Sequence, residues 1–208
     1  MDEVARFRQA LIEWAAGGAE AEQAAARARG TAAAVRTVVL VEGASDQVAV
    51  ETLAARSGRD LAAEGVAVVP LGGAMSIGRF LDCCGPPGLD LPLAGLCDIG
   101  EERHFRRHLE RVGLAAPGFQ VCRADLEDEL IRALGTDTVQ QVIEEQGELR
   151  GFRVFQGQPA QRERPVEHQL RRFLGTHSGR KAQYAQALVA RLDPAGVPRP
   201  LDFLLAHL

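Results

Sequence analysis

Three groups of acids and one lysine hold the chemistry this sequence can offer. Val38 to Val41 is an apolar run that passes directly into Glu42, Gly43, Ala44, Ser45 and Asp46. Leu91 to Cys97 does the same and ends on Asp98, followed by Ile99, Gly100, Glu101 and Glu102. Gly118 to Cys122 leads into Asp125, Glu127, Asp128 and Glu129. Carboxylates held close together repel unless a cation lies between them or one keeps its proton. Hard oxygen donors of this kind suit Mg²⁺ and, by the same chemistry, Mn²⁺. Lys181 is the only lysine in a chain otherwise supplied with arginine, which sets it apart. Each feature also has a plainer reading. Acids in a first helical turn are favoured by the helix dipole, and a single lysine can be an ordinary surface residue.

The elements that would position these residues follow from periodicity. Val38 to Val41 shows no polar alternation, which predicts a strand at 37–41 buried on both faces. Strands are also expected at 66–71, 92–97 and 118–122, separated by helices over about 46–57, up to Cys84 and from Glu101 to Val112. Ser45 or Asp46 is the expected cap of the first of these helices. Alternating strands and helices predict an α/β fold with a roughly four-stranded, mainly parallel sheet covered by helices. If the strands ending at Glu42 and Asp98 are neighbours, they lie about 4.8 Å apart. The carboxyl ends of such strands are where open α/β sheets bind ligands.

Outside this core, Val4, Phe7, Leu11 and Trp14 recur at helical spacing, predicting helices at 3–16 and 19–29 that pack on the sheet. Gly72-Gly73 reads as a tight turn rather than a phosphate loop, because neither a Walker lysine nor a third glycine in register follows. His104 and His108 are four apart among arginines and read as a solvated helix face. A helix is expected over 136–149, irregular chain over 151–167, and helices at 170–175, 182–192 and 201–208. Arg180 and Lys181 at the start of the helix over 182–192 oppose its dipole, which can mark a place that binds an anion. The expected division is an N-terminal helical extension at 1–30, a core at 36–134 and a mostly helical part at 135–208 that completes it.

Composition narrows the function classes. The 208 residues are 46% hydrophobic and carry a net charge of −4. That balance excludes a generally basic nucleic-acid binder but leaves room for a local arginine face. No apolar run reaches the roughly 18 residues of a membrane span. The acidic Met1-Asp2-Glu3 start does not fit a signal peptide, and the four cysteines show no zinc spacing. A cytoplasmic protein with buried, reduced thiols is expected.

The order strand, Glu42-Gly43-Ala44-Ser45-Asp46, strand, Asp98, the Asp125-Leu126-Glu127 acids and the late Lys181 resembles the Toprim domain of the overcoming-lysogenization-defect (OLD) nuclease branch. The resemblance covers about 36–190. It implies a Toprim/Rossmann-like fold and a divalent-metal-dependent endonuclease, with one or two Mg²⁺ or Mn²⁺ ions. It further implies Glu42 and Asp46 on one metal, Asp98 on the other, and Glu127 with Asp125 completing the shell. Glu42 would also act as base, and Lys181 as the cation of the transition state. Gly100 stands where the family's second acid is expected, so Glu101 is the substitute ligand. Arg79, Arg103, Arg106, Arg171, Arg172 and Arg180 would hold nucleic acid through its backbone, DNA rather than RNA. Family members carry an ATPase domain and this chain has no Walker motif, so a stand-alone module, a separate ATPase partner and a homodimer are the expectations. A metal-binding module that docks on a partner without cleaving, an RNA-processing nuclease and a nucleotidyl transferase are the other readings. A topoisomerase is not expected, because Tyr184 is the only tyrosine and reads as a packed helix residue.

Overall fold

The computed structural model describes residues 2–115, 118–175 and 178–208. Thr176 and His177, which precede the helix of Lys181, lie outside the described residues. Among the described residues, a sheet of four parallel strands has the order β2-β1-β3-β4, with β1 Thr37–Val41, β2 Val66–Pro70, β3 Leu93–Asp98 and β4 Phe119–Cys122. β1 is central, and Val38, Val39, Leu40 and Val41 are fully buried. Alternate residues point to opposite layers, which is why the run contains no polar position.

One layer gathers Val39, Val41, Val66, Val68, Ala94, Leu96 and Cys122 against helices α3 (Ala44–Arg56), α6 (Leu126–Leu134), α7 (Thr136–Glu145), α8 (Leu149–Gln156), α9 (Val166–Gly175), α10 (Ser178–Val189) and α11 (Arg199–Ala206). The other layer sets Val38, Leu40, Ala67, Val69 and Cys97 against α1 (Glu3–Ala16), α2 (Ala21–Thr31), α4 (Ile77–Cys84) and α5 (Glu102–Arg111). The apolar stripe Val4-Phe7-Leu11 is buried, so the N-terminal helices pack on the sheet as their periodicity predicts. Arg29 lies over the Trp14 ring at 5.2 Å. All four cysteines are free and buried. Among the described residues no helix is long and apolar enough to cross a membrane.

Three local expectations need correction. The stretch 151–167 is irregular only over 157–165: α8 occupies Leu149–Gln156 and α9 already begins at Val166. Phe152 is fully buried and meets Phe173 edge-on at 5.1 Å, so burial of one aromatic ring outweighs the polar neighbours. The helix after β1 starts at Ala44 with Gly43 as its cap, and Asp46 reaches back to accept the Gly43 N–H at 2.8 Å. The helix expected at 182–192 begins at Ser178, so Arg180 and Lys181 lie within its first turn.

Gly72 and Gly73 have φ of 69° and 118°, angles that favour glycine, and the Gly73 N–H donates to the Glu42 carbonyl at 3.1 Å. This is the tight turn expected after β2. Gly95 has a steric role instead. A Cβ there would lie 2.5 Å from the Phe119 ring and 2.6 Å from the Leu40 carbonyl oxygen. Gly95→Ala should therefore push β3 from its neighbours and destabilise the fold by about 1–3 kcal/mol, the usual cost of overpacking. Urea unfolding measures this, and a change within ~0.5 kcal/mol would refute the tight contact.

Candidate metal centre

The acids come from separate elements that meet at the carboxyl edge of the sheet. β1 and β3 are neighbours, so Glu42 immediately after β1 and Asp98 at the end of β3 share that edge. Asp46 enters from the first turn of α3. Asp125 caps α6 by accepting the Asp128 N–H at 2.8 Å, and Glu127 follows it in the first turn. α10 packs along α3, which carries Lys181 to the same place. Glu42, Asp46, Asp98, Asp125, Glu127 and Lys181 line one cleft of about 280 Å³, floored by Gly72 and Gly73.

The cleft holds more negative charge than its one cation can balance. Lys181 Nζ lies 3.2 Å from Glu127 Oε1. Burial, then the charges of Glu42, Asp46, Asp125 and Glu127, push Asp98 up to about 8. Burial pushes Asp46 up to about 7, against the Gly43 hydrogen bond, with Glu127 and Glu42 adding to the rise. Glu42 is raised by burial and then by Glu101. Its Oε2 is buried without a hydrogen-bond partner among the described residues. Burial lowers the Lys181 ammonium, but Glu127, Asp125 and Asp46 more than reverse this and hold it charged. An all-oxygen donor set, an orphaned carboxylate oxygen and acids raised by mutual repulsion fit a divalent cation. Among the described residues no three of these acids are drawn into a ready coordination group.

This charge balance predicts the pH response of the metal-free protein. An acid whose folded pKa lies above its unfolded value binds more protons folded than unfolded between the two. Stability in chelator should therefore fall as pH rises from about 4 through 8, with Asp46 and Asp98 losing their protons near 7 and 8. Melting curves in EDTA at pH 5 and 8.5 measure the fall, which should shrink in Asp98→Asn. An equal fall in that variant would show that the acids of the cleft are not its source.

Residues 35–99 match the family described as Overcoming lysogenization defect protein-like, TOPRIM domain. That span includes Glu42, Asp46 and Asp98. The fold is similar to the C-terminal region of the Burkholderia pseudomallei OLD protein, at 21% identity over 83% of this chain and 96% of that one, with a TM-score of 0.61. It is equally similar to the C-terminal region of the Xanthomonas campestris pv. campestris OLD protein, at 25% identity over 83% and 91% of the two chains, also with a TM-score of 0.61. Residues 35–99 carry the OLD-like Toprim match, and the fold around them is similar to the OLD C-terminal regions. A comparison with curated proteins gives no match.

In this Toprim domain the expected site residues divide. Glu42, Asp46, Asp98, Asp125, Glu127 and Lys181 share the cleft. Asp125 is already engaged on both oxygens, because its Oδ2 accepts from Arg171 Nε at 2.6 Å. Glu101 directly precedes α5 and is not among the residues that line the cleft, although its charge reaches Glu42. Gly100 does not use the left-handed backbone that would swing Glu101 inward.

The arginines form two groups rather than one patch. Arg79, Arg103 and Arg106 are on α4 and α5, across the sheet from Arg171, Arg172 and Arg180 on α9 and α10. Arg79 donates to Ser76 Oγ at 3.2 Å, and Arg106 pairs with Glu102 at 2.7 Å. Arg180 pairs with Glu148, which also accepts from the buried Tyr184 hydroxyl at 2.7 Å. Glu148 therefore clamps the first turn of α10 beside Lys181, a role that periodicity did not indicate. Arg164 and His168 were also missed. With Asp125, Arg171, Arg172 and Gly175 they line a second cleft of about 590 Å³. Their spacing, 164-168-172, is the available signal, hidden because the helix is expected only from 170 and not from Val166. His104 and His108 contact each other with ring centroids 4.6 Å apart, and His108 fits against Gly78. Both are half-buried rather than solvated, because α5 lies against α4.

Proposed function

We propose that this Toprim domain is a divalent-metal-dependent nuclease that hydrolyses phosphodiester bonds, in DNA rather than RNA. One observation carries the reading: carboxylates from β1, α3, β3 and α6 share a cleft with the only lysine. Glu42, Asp46, Asp98 and Glu127 would hold the ion, Mg²⁺ or Mn²⁺, with Glu101 within electrostatic reach. The bound ion would supply Lewis acidity toward the phosphoryl oxygens. Glu42, with its unpaired Oε2 and raised pKa, is suited to take the proton of an attacking water. Glu127 holds Lys181 at the cleft, where the ammonium would neutralise charge that develops on the phosphoryl group. Arg171 and Arg172 would contact the backbone without reading sequence, so binding would weaken steeply with salt.

Incubating the purified protein with supercoiled plasmid and Mn²⁺ at low salt should give nicked and linear DNA. An intact plasmid at every pH from 6 to 9 would refute cleavage. Gly100 in place of a second acid supports a second reading, a metal-binding module that docks on a separate ATPase without cutting. That reading is selected if Mn²⁺ binds and neither DNA nor RNA is cut.

A further inference from the structure

We infer that the arginine-lined cleft beside the acids receives the substrate strand, with Arg164, Arg171 and Arg172 contacting backbone phosphates next to the one that is cut. This deepens the nuclease reading and rests on it. The cleft, about 590 Å³ against about 280 Å³ for the acid cleft, is lined by Asp125, Arg164, His168, Arg171, Arg172 and Gly175. Three guanidinium groups face one carboxylate there, the reverse of the balance next door.

The two clefts join at two points. Asp125 lines both. Gly175 borders the Lys181 side chain, which a Cβ at that position would approach to 3.9 Å. A strand whose scissile phosphate reaches Lys181 must therefore continue past Gly175 or Asp125, into the basic cleft or away from it. The arginines decide between these paths. A polyanion is repelled by the acid cleft wherever its charge is not neutralised, whereas the basic cleft attracts it throughout.

The arginines are also disposed for the task. Arg164, His168 and Arg172 recur at four-residue spacing, one face of α9 and the turn before it. Arg164 Nε is held by the Ala160 carbonyl at 2.9 Å and Arg171 Nε by Asp125 at 2.6 Å. A guanidinium has five donors, so one such bond orients the fork and leaves the others for phosphate oxygens. Arg172 has no acidic partner among the described residues. On this view Asp125 is a positioning residue that aims Arg171, and the structure gives it a role apart from metal.

The test compares the native chain with the double variant Arg164→Ala/Arg172→Ala, both exposed positions that the fold does not need. Binding of a fluorescent oligonucleotide is followed by anisotropy in EDTA, across a salt series, and Mn²⁺ binding separately by calorimetry. The variant should lose about tenfold in affinity near 100 mM salt. Its log–log salt slope should shrink by roughly 1.5, two contacts at about 0.7–0.9 each. Mn²⁺ binding should be unchanged. Arg6→Ala/Arg27→Ala, which removes the same charge on the far side of the sheet, should leave affinity and slope alone. Unchanged affinity and slope in the first variant would overturn the inference, as would equal losses in the control or no oligonucleotide binding by the native chain. A phosphopeptide that binds the native cleft as tightly as the oligonucleotide would overturn the choice of nucleic acid. In each of these cases, Mn²⁺ binding by the native chain decides separately whether the metal-centre reading stands.

Discussion

Glu42→Gln should abolish metal-dependent cleavage, by about a thousandfold or more, and at the same time raise the melting temperature in chelator. Both effects have the same cause. Glu42 follows the buried strand β1, its Oε2 has no partner, and Glu101, Glu127 and Asp125 all disfavour its charge. The amide removes a like charge from a crowded cleft at almost constant volume, so the metal-free fold gains. It also removes one oxygen anion from the ion and the group suited to take a proton, a loss in the range of ~10²–10⁴ for acid–base catalysis alone. Plasmid nicking with Mn²⁺ and melting curves in EDTA read the two effects. A Glu42→Gln protein that cuts within a few-fold of the native chain would remove Glu42 from the mechanism.

The second large effect is expected at Lys181. Lys181→Ala should lower turnover by about 10²–10³, the usual result of deleting one group that stabilises transition-state charge. Mn²⁺ affinity should hold or increase, because Glu127 loses the ammonium at 3.2 Å that competes for its oxygen. Stability should hardly change, since the pair is partly exposed and such pairs contribute about 0–1 kcal/mol. Turnover at saturating Mn²⁺, paired with calorimetry, separates these outcomes. A loss of activity that extra Mn²⁺ restores would mean that Lys181 serves metal binding and not the transition state. Arginine is not an equivalent replacement, because its planar fork cannot take the place of a compact ammonium.

How far the site could be read in advance varied from element to element. The strands 37–41 and 66–71 were legible because burial on both faces leaves an uninterrupted apolar run. Glu42 and Asp98 were legible because a strand that ends on an acid places that acid at the sheet edge whatever happens elsewhere. The helix over 149–156 and the first turn of the one over 166–175 were not, since Phe152 and Phe173 stabilise these helices through contact with each other across the chain. With them went Arg164 and His168, whose spacing means nothing until α9 and the turn before it are placed.

The sequence alone determined the parallel α/β order and the acids at the strand ends, because both depend on residues adjacent in the chain and on the two-residue period of a strand. Only the tertiary structure decided that Lys181 meets Glu127, that Arg171 meets Asp125 and that Glu148 holds Arg180 and Tyr184. Those pairings depend on how α10 packs on α3 and α9 on α6. The packing angle of two helices is set by the whole shape of their contact, and a rotation of one residue's worth would turn each of these side chains away from its partner.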